Sequence, residues 1–209
     1  MRKRVQIALV LLLVTIVSII AWQVLREREP LYQGRTMGSW LNSPDITDNE
    51  LARQVWEGFG SNAVPFLRKA LEARDGPTKK AYWAVRRNLP NWIKRYLPRF
   101  DPLPSAILRG RAADGLAYIG EAATPAIPDL IRLSKNDQDG DFSKGFVRGR
   151  AVAALGNIGR NMEPANPPYR AVTEALIEAL NDPDPEVRSF AAHSLKLQFP
   201  EAAARAGVK

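Results

Sequence analysis

The chain of 209 residues contains no cysteine and one histidine, His193. Without thiols it has no disulfide framework, no thiolate zinc site, no cysteine nucleophile and no cysteine-linked lipid. A single imidazole leaves little material for metal ligation or for proton transfer near neutral pH. Glycine-rich phosphate loops, a serine elbow and an HExxH helix are missing too. The sequence therefore offers no catalytic residue, no metal site and no cofactor site, and it reads as a binding protein rather than an enzyme. Acidic residues are scarce in one stretch. Between Lys79 and Arg111, nine lysines and arginines face a single acid, Asp101. That surplus of eight equals the net charge of the whole chain, +8, so the basic character is local.

Apolar residues make up 45% and charged residues 25%, the balance of an ordered chain. Three segments share one pattern at a spacing of about 40 residues: LRGRAADGLAYIG from Leu108, VRGRAVAALGNIG from Val147 and VRSFAAHSLKLQF from Val187. Each opens on an aliphatic residue followed by an arginine. Each then places two small residues and a leucine at fixed offsets: Ala112, Ala113 and Leu116; Ala151, Val152 and Leu155; Ala191, Ala192 and Leu195. A period of this length on helical spacing marks stacked helical hairpins, none of which buries its apolar face alone.

The remaining punctuation agrees. Asp48 is placed to cap a first helix with Leu51, Ala52, Val55, Trp56 and Phe59 on one face. A second helix opens at Ala63-Val64-Pro65, with Leu67, Ala70 and Leu71 inward. Gly60, Gly120 and Gly159 read as equivalent corners. Ile127, Leu130, Ile131 and Leu133 carry the apolar face after Gly120, and a helix from about Arg170 to Asn181 follows a proline-rich loop, Gly159 to Tyr169. Asp184, Pro185 and Glu186 form a helix start, and Glu201 to Lys209 suffice for a short capping helix. Residues 26–47 read as a tether containing one helical turn from Thr36, docked by Trp40 and Leu41. Residues 48–209 form the repeat domain, interrupted by an insertion at 75–105.

NDPDPEVRSFAAHSL and VRGRAVAALGNIG resemble HEAT repeats of the bacterial type, including those first grouped with phycobilisome lyase-like repeats. YQGRTMGSWL, from Tyr32 to Leu41, is similar to a segment of membrane-attached or secreted HEAT proteins of planctomycete and verrucomicrobial type. The resemblance implies an all-α fold, a right-handed α-solenoid of HEAT-like hairpins used for protein–protein contact. It implies no lyase activity. It also implies a ladder of aspartate and arginine between neighbouring units, here Asp182 or Asp184 with Arg188, and by register Arg148 and Arg109.

Val5 to Leu25 carries no charge and at about 1.5 Å per residue spans roughly 31 Å, the thickness of a bilayer core. The sequence thus predicts one transmembrane helix ahead of the solenoid, with residues 1–4 before it. A cleaved signal peptide is the competing reading, but its apolar region is shorter and Ile19 with Ala21 fits the cleavage motif poorly. Arg2, Lys3 and Arg4 on one side, against Arg26-Glu27-Arg28-Glu29 on the other, put the N-terminus in the cytoplasm and the bulk of the chain outside it, periplasmic in a bacterium.

Two surfaces are candidates for partners. The first is the inner concave face formed by the second helices of the hairpins, where Arg68, Arg132 and Glu178 flank the core leucines and would touch a protein. The second is the insertion, read as two short amphipathic helices with Lys79, Lys80, Arg86, Arg87, Trp92, Lys94 and Arg95. Basic residues among aromatics suit an anionic lipid surface, a cell-envelope polymer or an acidic partner. They suit nucleic acid as well, although the predicted extracytoplasmic placement argues against it. They also fit aromatics that seal the first hairpin under a solvated basic face. Lys135 to Asp141 fails as a calcium loop, because registering Gly140 at the sixth position puts lysine first and Phe146 twelfth. His193 reads as a structural residue on the small-residue face of the last repeat.

Overall fold

The computed structural model describes residues 12–17, 29–94, 103–136 and 145–208. It separates into residues 1–30 and residues 31–208, with Lys209 at the end of the second unit. In the first unit residues 12–17 are helical, with exposed side chains. Most of Val5–Leu25 lies outside the described residues, and among the described residues no helix is long and apolar enough to cross a membrane.

The second unit opens with a two-residue antiparallel hairpin, β1 (Leu31–Tyr32) and β2 (Arg35–Thr36). Gln33 and Gly34 both take positive φ, as a tight primed turn requires. The Thr36 hydroxyl caps α1 (Met37–Leu41) by accepting the Ser39 N–H at 3.2 Å. The Trp40 indole donates to the Tyr32 carbonyl at 3.1 Å, and the Arg35 guanidinium lies 4.0 Å over the Trp40 ring. Tyr32 packs on Phe59, with ring centroids 5.6 Å apart. A 3-10 turn, Pro44–Thr47, completes the segment. Residues 31–47, read from the sequence as part of a tether, are thus folded into the repeat unit itself. The reason is tertiary: Met37, Trp40, Leu41 and Ile46 are buried, and Arg111 donates from below to the carbonyls of Leu41 (2.6 Å) and Ser43 (3.0 Å).

Four helical hairpins follow among the described residues. They pair α2 (Asn49–Phe59) with α3 (Val64–Leu71), α6 (Ser105–Ile119) with α7 (Ile127–Lys135), α8 (Phe146–Gly159) with α9 (Pro167–Ala179), and α10 (Pro185–Gln198) with the short α11 (Pro200–Arg205). The insertion between α3 and α6 contributes α4 (Pro77–Asn88) and α5 (Asn91–Lys94). First helices pack on first helices, α2 on α6, α6 on α8 and α8 on α10. Second helices do the same in the order α3, α7, α9 and α11, giving two layers with the core between them. The nine residues at the repeated offsets face that core. All but Ala192 are fully buried.

Asp48 caps α2 as expected, accepting the Leu51 N–H at 2.9 Å, a contact of about 1 kcal/mol. Gly60 and Gly120 end α2 and α6 at φ +57° and +68°, a backbone that side chains resist. Gly159 differs from them. It is the last residue of α8, and a Cβ there would meet the Phe199 ring at 2.8 Å and Val172 at 3.1 Å. Its smallness serves close packing and not a reversal of the chain. The α9 helix begins at Pro167, three residues before its expected start. Pro167 and Pro168 occupy its first turn, where the missing N–H would be unpaired anyway.

Candidate interaction surfaces

The outer side of the second-helix layer is laced by charge. The Arg68 Nε donates to Asp129 at 2.7 Å, joining α3 to α7. Arg132 reaches Asp129 at 3.2 Å on its own helix and Glu72 at 3.3 Å just past the end of α3. Lys135 pairs with Glu178 at 2.5 Å, joining α7 to α9. The structure places Arg68, Arg132 and Glu178 on one layer, and each already has a partner on a neighbouring hairpin. Asp129, the hub of this network, could not be picked out from the sequence, because its link to Arg68 spans 61 positions. Only its i, i+3 spacing to Arg132 was visible.

The arginines at the repeated register have different tasks. Arg148 holds Asp182 through two bonds, Nε at 2.8 Å and Nη2 at 2.9 Å, and both side chains are nearly buried. Asp182 also accepts the Asp184 N–H at 2.8 Å. Burial alone would raise its pKa, but Arg148, the Asp184 N–H and Arg188 outweigh it and hold the carboxyl below its ordinary range. Arg188 does not pair with either carboxylate. It donates to the carbonyls of Asp182 (2.8 Å) and Pro183 (2.9 Å), while Asp184 caps α10 at the Glu186 N–H. Arg109 is buried and donates to the Ala73 carbonyl at 2.7 Å. The inter-unit link is thus Asp182 with Arg148, and the other arginines fasten loops.

A second acid on the first-helix layer escaped the sequence reading. Asp114 of α6 lies 3.4 Å from Arg150 of α8. Desolvation raises its carboxyl above the ordinary range, with Arg150 and Arg111 pulling only partly the other way.

At the insertion, Asp75 accepts the Ser105 N–H at 3.0 Å, Lys79 donates to the Leu103 carbonyl at 3.2 Å, and Arg109 holds Ala73. These bonds close the neck from which α4 and α5 project. Asp75 also supplies a carboxylate to the first N–H of α6, where the helix dipole favours negative charge. Arg86 donates to the Tyr82 hydroxyl at 2.7 Å, and Tyr82 meets Trp83 edge-on at 5.5 Å. No residue of α4 or α5 is fully buried. Val85 is 60% and Trp92 66% exposed, so these two do not seal the first hairpin. Lys80 and Arg87 are exposed, Lys94 is half-buried, and Arg95 falls outside the described residues.

His193 is exposed, not on the buried face of α10, which is formed by Val187, Ala191, Ser194 and Leu195. Among the described residues no group of three or more His, Asp or Glu side chains is arranged to hold a metal ion. The acids of the rejected calcium loop, residues 137–141, fall outside the described residues. No curated protein and no solved structure is significantly similar to the chain. One family does match: residues 146–196, running through α8 and α9 into α10, fit the HEAT-like repeat, and this supports the HEAT reading of the hairpins.

Proposed function

We propose that this chain is a membrane-anchored scaffold or adaptor whose hairpins form a right-handed α-solenoid that binds a protein partner on its second-helix layer. In this reading Val5–Leu25 is the single membrane span, the N-terminus is cytoplasmic and the hairpins work on the extracytoplasmic side. The protein acts by binding, not by catalysis, and needs no cofactor.

The observation that carries the reading is the layer formed by α3, α7 and α9. Their leucines are spent on the core, and their outward residues form one surface across successive hairpins. HEAT repeats generally mediate protein–protein interaction, and stacked hairpins offer a long continuous face in place of a cavity. Arg68, Asp129, Arg132 and Glu72 are already paired with one another, so they are pre-oriented and lose little freedom on binding.

Photocrosslinking in intact membranes tests this. A crosslinker at Arg132 should capture a discrete partner that one at Glu57, exposed on the first-helix layer, does not. Equal capture from both faces, or none from Arg132, would sink the assignment of the surface. Release of the protein by alkaline washing would sink the anchor and leave the surface standing.

A further inference from the structure

We infer that the outward side of the insertion is a docking element for an anionic lipid surface, independent of the partner surface proposed above. Every long helix of the four hairpins buries an apolar stripe, but α4 buries none. Its inward stripe consists of Lys79, Tyr82, Trp83 and Arg86, and the two cations on it are committed to the neck and to the Tyr82 hydroxyl. On the outward side Lys80 and Arg87 lie seven residues apart, two helical turns, on one flank of α4, and Val85 is exposed on the other flank. Trp92 and Lys94 follow on α5. Lys80, Arg87 and Lys94 make no ion pair among the described residues, and 77–94 contains no acid to neutralise them.

A solvated basic face would not need an exposed tryptophan and valine, and a sealed edge would have buried them. An exposed tryptophan next to unpaired cations, with an apolar Val85 flanking them, matches a bilayer surface, where indole sits at headgroup level and each Lys or Arg gains about 1 kcal/mol near anionic lipid. Single-stranded nucleic acid fits less well, since it is bound on successive aromatic platforms and Val85 has no ring to stack on.

Because the chain lacks cysteine, one introduced thiol labels one place. The full chain as Val85→Cys, carrying an environment-sensitive fluorophore, is presented to phosphatidylcholine vesicles with and without about 30% phosphatidylglycerol, with brominated acyl chains as quencher. Quenching should be at least about threefold greater with the anionic lipid and should fall at high salt. It should disappear in the Lys80→Glu, Arg87→Glu, Lys94→Glu background, with the helical signal retained. The same label at His193→Cys should respond to neither lipid. Equal quenching in both lipids, quenching that survives charge reversal, or a stronger response to polyglutamate or an oligonucleotide overturns the inference. If the N-terminal segment holds the chain in both vesicles alike, the comparison between lipids still reads the insertion alone. Absence of the chain from the vesicles together with an unresponsive label counts against both the anchor and the insertion.

Discussion

Asp182 and Asp114 each sit beside an arginine of α8, yet their surroundings push them in opposite directions. Asp182, doubly bonded to Arg148 and nearly buried, is held below its ordinary pKa of 3.8. Its contribution to stability is therefore present above that value and lost as pH falls through the depressed one. Asp182→Asn should cost about 2–4 kcal/mol at neutral pH, since it strands a nearly buried guanidinium. That difference should shrink below about pH 4, which denaturation of the full chain at matched pH would reveal. Asp114 is raised by desolvation, so the stability tied to its protonated form is present below 3.8 and lost as pH rises through its native value. Asp114→Asn should change stability by less than about 1 kcal/mol at neutral pH, because the weak bond to Arg150 that it forfeits is offset by the charge it removes. A cost equal to that of Asp182→Asn would refute this account of the two acids.

At the scale of whole helices, the sequence-visible signals were those written into the local backbone. Gly60 and Gly120 were legible because a positive φ asks for glycine whatever surrounds it. The repeated triplets were legible because burial on one helix face imposes a period. Gly159 was misread because its constraint comes from Phe199, forty residues away in sequence and fully buried. Pro167 and Pro168 were misread because a proline pair suits a loop and a first helical turn equally well. The aspartates were matched to Arg188, their neighbour in sequence, because only the fold brings Arg148, 34 positions away, to Asp182. Trp92 suited a lipid or acidic-partner surface and a sealed first hairpin alike, and only tertiary placement leaves it in solvent. The two kinds of glycine can be told apart. Gly120→Ala should cost about 1–2 kcal/mol from backbone strain, with no coupling to Phe199. Gly159→Ala gains helix propensity but overpacks the core, for a net loss of about 1–2 kcal/mol. Phe199→Leu should recover part of that loss in a double-mutant cycle, and strict additivity would show that the ring is not the obstacle.

Across the repeat unit, α8 is the keystone, touching α6, α7, α9 and α10, whereas α4 and α5 share few contacts with the other described elements. Opening should therefore be least costly in the insertion and most costly around α8. Trypsin should cut first among Lys80, Arg87 and Lys94, and the two fragments should stay together in gel filtration because α2 and α3 grip α6. Separation of the fragments without denaturant would show that the insertion is part of what holds the first hairpin to the second.

The neck closed by Asp75, Lys79 and Arg109 has a further consequence. Because its two ends are clamped by Asp75, Arg109 and the first turn of α4, the repeat array is indifferent to what is threaded beyond that turn, and lengthening the excursion adds little closure entropy. The position is a natural grafting point: a foreign domain spliced in place of the remainder of the two helices would ride on the stack without reshaping it.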